Sequence, residues 1–217
     1  MSAKIIGIIQ VKGGAGRSTV STNLAGELSK MGKTVLIDCD MPQGTSASWY
    51  SVREQAGKAS NLVADTATNH RELVAKVEQY QDADFIVLDG PPRIAELTRA
   101  ILVLADLCLI PVGASAAEIW ATSDLLALVE EAKQVKPVNA RMVWTRYRAH
   151  TRLAQELSEL ATKELGLVAL STTLGMRVAY MEALGDGLTA GELSEPSAKA
   201  EVKSLIDEIQ KLLRKKP

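Results

Sequence analysis

Lys12-Gly13-Gly14-Ala15-Gly16-Arg17-Ser18-Thr19 follows directly on the apolar run Ile5–Val11 and opens a segment of helical period, Thr19–Lys30, with Leu24, Ala25 and Leu28 on one face. A glycine-rich loop in this strand, loop, helix setting is where a phosphate-binding loop belongs. Its glycines let the backbone turn tightly and present several N–H groups to one anion. The following helix adds the positive end of its dipole. Ser18 can offer a hydroxyl to Mg²⁺. The plain alternative is a glycine-rich turn with no ligand, and it loses ground on the acids that come next.

Apolar residues Val35–Ile37 run into Asp38-Cys39-Asp40-Met41-Pro42-Gln43-Gly44, so two carboxylates sit at a strand end towards the same sheet edge as the loop. Phe85–Leu88 runs into Asp89-Gly90-Pro91-Pro92, a third strand-end acid of the type that holds a Mg²⁺-bound water in nucleotide hydrolases. Three motifs therefore converge on one edge.

Short apolar runs that read as buried strands, Ile5–Val11, Thr34–Ile37, Phe85–Leu88, Leu107–Val112 and Arg141–Thr145, alternate with longer helical segments. One of these, Ala116–Lys133, carries Ile119, Leu125, Leu126 and Val129 at helical spacing. Alternation of this kind predicts an α/β fold: a mostly parallel, twisted sheet with helices on both faces. Pro42, the Pro91-Pro92 pair and Pro111 mark the chain turning at strand ends. Periodicity is poorest from Tyr50 to His70. The stretch from about 198 to 216 places Val202, Leu205, Ile206, Ile209, Leu212 and Leu213 on one stripe, an amphipathic terminal helix.

At 217 residues the chain is read as a single domain, 1–217. A single Phe among many Val, Ile, Leu and Ala suits a core between helices and a sheet. The net charge of −1 means that any nucleic-acid binding has to come from a local basic patch. Cys39 and Cys108 form no CxxC pair and no Cys/His cluster, which suits a reduced cytosol and argues against a metal cluster. The start lacks a signal-peptide pattern or a bilayer-length apolar run, so the expectation is an unexported protein.

These residues resemble the ParA/MinD family of deviant Walker A (P-loop) ATPases, whose loop reads KGGxGK[ST] and is followed by a DxDPQ-like segment and a strand-end Asp. The resemblance is most specific across Ile5–Trp49, where Asp40, Pro42, Gln43, Gly44 and Trp49 sit as in many ParA proteins. Phe85–Pro92 and Leu109-Ile110-Pro111-Val112 match well, Val143-Trp144-Thr145-Arg146 only loosely. Within the family the likeness is to short partition or cargo-positioning ATPases that have no N-terminal DNA-binding domain.

What the resemblance implies is ATP as ligand, Mg²⁺ as cofactor, and a homodimer that forms on ATP binding. Lys12 would reach across that dimer to the phosphates of the other subunit's nucleotide. Gly13, Gly14, Ala15 and Gly16 would cradle phosphate, Arg17 would stand at the catalytic loop position, Ser18 would ligate Mg²⁺ and Thr19 would touch the α-phosphate. Asp38 and Asp89 would hold Mg²⁺ through water, Asp40 would position the attacking water, and Thr145 with Arg146 would meet adenine. The implied partners are non-specific DNA and a ParB-like or other cargo adaptor that stimulates hydrolysis, in a cytoplasmic, nucleoid-associated setting.

One departure stands out: Arg17 occupies the place of the family's second loop lysine. Guanidinium is planar and forked where ammonium is a compact point donor. Because phosphoryl transfer depends on positioning, a displacement of about 1 Å predicts turnover reduced on the order of a hundredfold. The alternatives are that Arg17 points away while Lys12 supplies the phosphate charge, or that the chain is a nucleotide-binding adaptor with no useful ATPase activity. For DNA the candidates are Arg148, Arg152, Arg177, Lys211 and Arg214, with Arg141, Arg146, His150, Lys215 and Lys216 nearby in sequence and Trp144 and Tyr147 interleaved. A solvated face is the bland reading of any one of them. A MinD-like membrane-associated regulator is the remaining alternative, but the terminal stripe has no aromatic anchor and carries Asp207 and Glu208, so docking on the domain is expected instead of a membrane.

Overall fold

The computed structural model describes residues 2–93, 96–148 and 151–214. Strands β1 (Lys4–Ile8), β2 (Thr34–Asp38), β3 (Leu62–Thr66), β4 (Phe85–Asp89), β5 (Leu107–Gly113), β6 (Ala140–Tyr147) and β7 (Ala169–Gly175) form one sheet in the order β3-β2-β4-β1-β5-β6-β7. Every neighbouring pair runs parallel. The helices between and after them are α1 (Arg17–Leu28), α2 (Thr45–Gln55), α3 (His70–Gln79), α4 (Glu96–Leu104), α5 (Ala116–Lys133), α6 (Arg152–Leu165), α7 (Val178–Gly185) and α8 (Pro196–Arg214).

The central strands are apolar between their ends because both of their faces are covered. All five residues of β2 and all seven of β5 are buried. Successive residues feed opposite layers, as a period of two requires. Ile5, Val35, Ile37, Ile86 and Leu88 pack with Leu73, Ile101, Ile119 and Leu125 from α3, α4 and α5. Ile6, Ile8, Leu36 and Val87 pack with Val20, Leu24 and Leu28 of α1 and with α2, α7 and α8. The stripe of α8 joins this second layer: Val202, Leu205, Ile206 and Ile209 are buried, Leu212 and Leu213 partly so. The terminal helix is thus docked, and the expected residues 215 and 216 lie outside the described part.

Two strands lie in stretches where the sequence announces none. Both β3 and β7 are edge strands whose burial is partial, with polar Asp65, Thr66, Ser171 and Thr173 along them. The expected strand Ile5–Val11 ends earlier, at Ile8, because Ile9–Val11 already belong to the turn into the glycine loop.

Topology fixes where a ligand goes. From β1 the chain crosses to β2 on one side, and from β4 it crosses back over β1 to β5, so the direction of winding reverses at β1. Crevices form beyond the carboxyl ends of strands at such a reversal. Register then levels the strand ends: Ile8 and Asp38 both pair with Asp89, and Gly113 pairs with Thr145.

Candidate nucleotide-binding site

The loop from Lys12 to Gly16 leaves β1 at this reversal and enters α1. Gly14 and Gly16 adopt left-handed φ of 75° and 97°, which side chains with a Cβ disfavour. Gly16 also lies tight against β6, since a Cβ there would stand 3.2 Å from Cγ2 of Thr145. The Thr145 hydroxyl is buried and donates to the Ala15 carbonyl at 2.8 Å, so β6 braces the loop from outside. Asn69 and Ser115 cap α3 and α5 through their side chains, whereas among the described residues α1 has no side-chain cap and no acid in its first turn. Its first N–H groups and the positive end of its dipole therefore face the loop. The exposed Gly13 and Gly14 and the half-buried Lys12 complete an anion cradle.

The acids are held in three different ways. Asp38 is buried and accepts from two backbone N–H groups, Asp40 at 2.9 Å and Ala47 at 3.0 Å, the second in the first turn of α2. Asp89 is fully buried; Ser46 Oγ donates to its Oδ2 at 2.6 Å, while Oδ1 has no partner among the described residues. Burial and then the charge of Asp38 push the Asp89 carboxyl up to about 6, against the lowering influence of the hydroxyls of Ser46, Ser18 and Ser21. Gly90 makes this approach of β4 to β1 possible, because a Cβ there would lie 2.7 Å from the Ile8 carbonyl. Asp40 is mostly buried and its Oδ2 meets the Arg17 guanidinium at 3.3 Å.

Arg17 does not point to solvent. It is 7% exposed and folds back over the loop's own base, Nη1 donating to the Gln10 carbonyl at 2.7 Å and to the Lys12 carbonyl at 2.9 Å, Nη2 to Asp40. Gln10, itself buried, ties this base onward: its Nε2 donates to the Pro111 carbonyl and to Thr122 Oγ1 on α5.

At the far side of Thr145, Arg146 takes a left-handed φ of 51° and pairs with Glu118, whose other oxygen accepts from Gly113 N at 2.7 Å. A hollow of about 500 Å³ opens there, with Ser115, Glu118, Arg146, Arg148, Leu157 and Met176 in its wall. Three residues that the sequence reading passed over thus shape the site: Gln10, Ser46 and Glu118. A polar residue inside an apolar run was a legible signal for Gln10, and a hydroxyl beside the Asp-rich loop was one for Ser46. Glu118 becomes visible only when β5, α5 and β6 are assembled.

The candidate DNA residues do not form one patch. Exposed Arg148 and Arg152 sit past the carboxyl end of β6, the latter paired with Glu156. Arg177 stands at the same edge but is engaged by Glu201 at 2.7 Å and Glu195 at 3.4 Å, and Glu201 raises its pKa. Lys211 and Arg214 end α8, where Arg214 shares a hollow with Lys4 and Phe85 at the opposite edge, the strand starts. Trp144 is buried and packs on Tyr147, with ring centroids 5.6 Å apart, so it belongs to the core and offers no stacking platform. His150, Lys215 and Lys216 lie outside the described residues.

As for metal, among the described residues no group of three or more His, Cys, Asp or Glu is placed to hold an ion. The unpartnered Asp89 Oδ1 beside Asp38 and the serine hydroxyls fits a magnesium ion completed by water and phosphate oxygens, which is how a cation that arrives with its nucleotide is bound. Cys39 and Cys108 are buried thiols, the latter pushed up to about 12 by burial, and neither reaches the cradle's surface.

Fold and site together define a P-loop nucleotide-binding protein of the doubly wound α/β class. Residues 3–79 match the family described as AAA domain. The chain is 27% identical over 213 residues to the maintenance of carboxysome distribution protein A of Halothiobacillus neapolitanus, covering 96% of this chain and 94% of that one. It is 28% identical over 217 residues to the chromosome-partitioning ATPase Soj of Thermus thermophilus, covering 86% and 87%. Among solved structures, an ATP complex of McdA from Cyanothece shares the fold with a TM-score of 0.79 at 16% identity, over 96% of this chain and 97% of that one. Over most of its length the chain is thus similar to ATPases of the ParA and McdA type, with the family match confined to its first 79 residues.

Proposed function

We propose that this protein is an ATP-dependent dimerising switch that rides on non-specific DNA and positions a cargo, hydrolysing ATP slowly. The observation that carries the reading is the uncapped start of α1 and its glycine cradle set level with Asp38, Asp40 and Asp89. Relatives named for carboxysome distribution and for chromosome partitioning support the output.

On this reading the N–H groups of Gly13–Gly16 and the Ser18 and Thr19 hydroxyls bind the phosphates, and the nucleoside end lies towards Thr145 and Arg146. Lys12, at the rim, reaches the nucleotide of a second copy. A magnesium ion, when bound, neutralises charge developing on the phosphates. Ser18 and Asp89 would hold it, and Asp38 keeps the β2–α2 turn in place through its two backbone bonds. Asp40 orients the attacking water. DNA contact is assigned to Arg148 and Arg152 at the same edge, where ATP-driven pairing of two copies would bring two sets together.

A second reading, a nucleotide-binding adaptor that does not cycle, is favoured by one observation: Arg17 is occupied by loop carbonyls and by Asp40. A membrane-associated regulator is disfavoured, since the α8 stripe is consumed in the core and, among the described residues, no helix is long and apolar enough to cross a membrane. The decisive experiment measures oligomer size with ATP, ADP and no nucleotide, each with Mg²⁺, then retention of the same samples on non-specific DNA. The switch predicts a dimer and retention with ATP alone. Unchanged size in all three states refutes it, and a dimer without turnover selects the adaptor.

A further inference from the structure

We infer that Arg17 is a tie that restrains Asp40 until a triphosphate enters, so that the replacement of a lysine by arginine in the loop is a regulatory feature of this site. The inference rests on the nucleotide reading above and adds to it a competition for one guanidinium. Arg17 uses Nη1 on two carbonyls at the loop's base and Nη2 on Asp40, and its Nε is buried without a partner among the described residues. The guanidinium therefore spans the floor of the cradle from the end of β1 to the end of β2. An ammonium, a single point donor, could not bridge the two carbonyls and the carboxylate in this planar arrangement.

Asp40 is the acid with a movable anchor. Asp38 is fixed by two N–H groups and Asp89 by Ser46 in the floor of the site, whereas the Asp40 side chain is held by Arg17 through a 3.3 Å contact, long for a charge-assisted bond. A γ-phosphate arriving above the loop carries more charge than a single carboxylate and attracts the forked Nη2 more strongly. Transfer of Nη2 from carboxylate to phosphate frees Asp40 to turn towards the attacking water. A diphosphate leaves the terminal position empty and the tie closed. The tie thus keeps Asp40 turned from the water-positioning geometry until it is opened by the nucleotide that is to be cleaved.

The test is a double-mutant cycle of Asp40→Asn and Arg17→Met, read by equilibrium binding of a non-hydrolysable ATP analogue and of ADP with Mg²⁺, with urea stability of the nucleotide-free protein measured in parallel. Asp40→Asn alone is expected to tighten triphosphate analogue binding about tenfold, the equivalent of one charge-assisted contact no longer broken, with a much smaller gain for ADP. In the Arg17→Met background the same change is expected to gain less than about threefold, since only general repulsion is relieved. Equal gains in both backgrounds, or equal gains for analogue and ADP, overturn the inference. If the Met variant unfolds, Arg17→Lys replaces it, with the coupling again expected to fall. Absence of nucleotide binding by the unaltered chain defeats the functional reading and the tie with it, whereas binding without coupling defeats the tie alone.

Discussion

Removing the carboxylate of Glu192 should destabilise the fold in a pH-dependent way and loosen the Ser46 hydroxyl at the other end of α2. Arg53, almost fully buried near the end of α2, is clamped by Glu192 through contacts of 2.8 and 3.0 Å, donates to the Gly187 carbonyl and lies over the Trp49 ring at 5.4 Å. Although burial raises the Glu192 pKa, the Arg53 bonds, the Thr189 N–H and the Lys30 charge outweigh it and bring it down from 4.5 to about 2. A folded-state value below the unfolded one stabilises the fold in full above about pH 4.5, and that stability is lost as pH falls through 2. The shift corresponds to about 3 kcal/mol, and partial exposure of Glu192 brings the expectation for Glu192→Gln to about 2 kcal/mol at pH 7. Urea unfolding at pH 7, 5 and 3 measures it: the deficit should hold between pH 7 and 5 and fall by at least a third at pH 3. In an Arg53→Met background the same substitution should cost under about 0.5 kcal/mol, because no buried guanidinium is left unpaired. A deficit at pH 7 below that figure in the native background, or one that does not shrink in acid, refutes the argument. Because α2 presents Ser46 to Asp89, nucleotide affinity should weaken as well.

Arg17→Lys should raise ATP turnover between tenfold and about a hundredfold in a steady-state phosphate-release assay, and an unchanged rate would defeat the idea that the arginine slows hydrolysis. Thr145→Val leaves the Ala15 carbonyl without its donor and should weaken nucleotide binding several-fold in a titration, at a stability cost of about 1 kcal/mol. Gly90→Ala drives a Cβ against the Ile8 carbonyl and should cost about 1–3 kcal/mol in urea unfolding while lowering nucleotide affinity, since the end of β4 must withdraw. In DNA retention with ATP, Arg148→Ala and Arg152→Ala should each reduce the salt slope by about 1, while Lys211→Ala with Arg214→Ala leaves it unchanged; the reverse pattern would place DNA at the other sheet edge.

The parts of this molecule that could be read from sequence are those whose physics is local. Five strands stood out because burial on both faces makes them continuous apolar runs, and Ala116–Lys133 matches the observed α5 because its apolar spacing and its Ser115 cap act within a few turns. Edge strands β3 and β7 escaped notice because one side of each meets solvent and their polar residues read as loop. Lys12–Thr19 and the three acids were legible because glycine and strand-end Asp carry backbone geometry and charge in the residue itself. Arg17's inward turn was not, since the carbonyls it meets belong to a loop shape that composition does not specify. Trp144 is interleaved with four arginines in sequence, yet its place on β6, inside the sheet between β5 and β7, puts it in the core.

Each of the three acids has a partner within the protein itself, and that bears on how a switch can rest in one state. Asp38 is held by backbone N–H groups, Asp40 by Arg17, and Asp89 by Ser46 at one of its two oxygens, with burial pushing its carboxyl up to about 6. No acid needs a cation to remain where it is, so the cradle can stand preformed without a nucleotide. On the proposed reading a triphosphate then has to undo one of these arrangements, taking the guanidinium from Asp40. Affinity for the triphosphate is reduced by that reorganisation, and so is the population of active sites in the resting protein. A lysine at position 17 would remove that restraint, while Asp89→Asn would keep an acceptor for Ser46 and withdraw a carboxylate proposed to hold magnesium. On the proposed reading these two substitutions should therefore move the dimerisation midpoint in ATP in opposite directions.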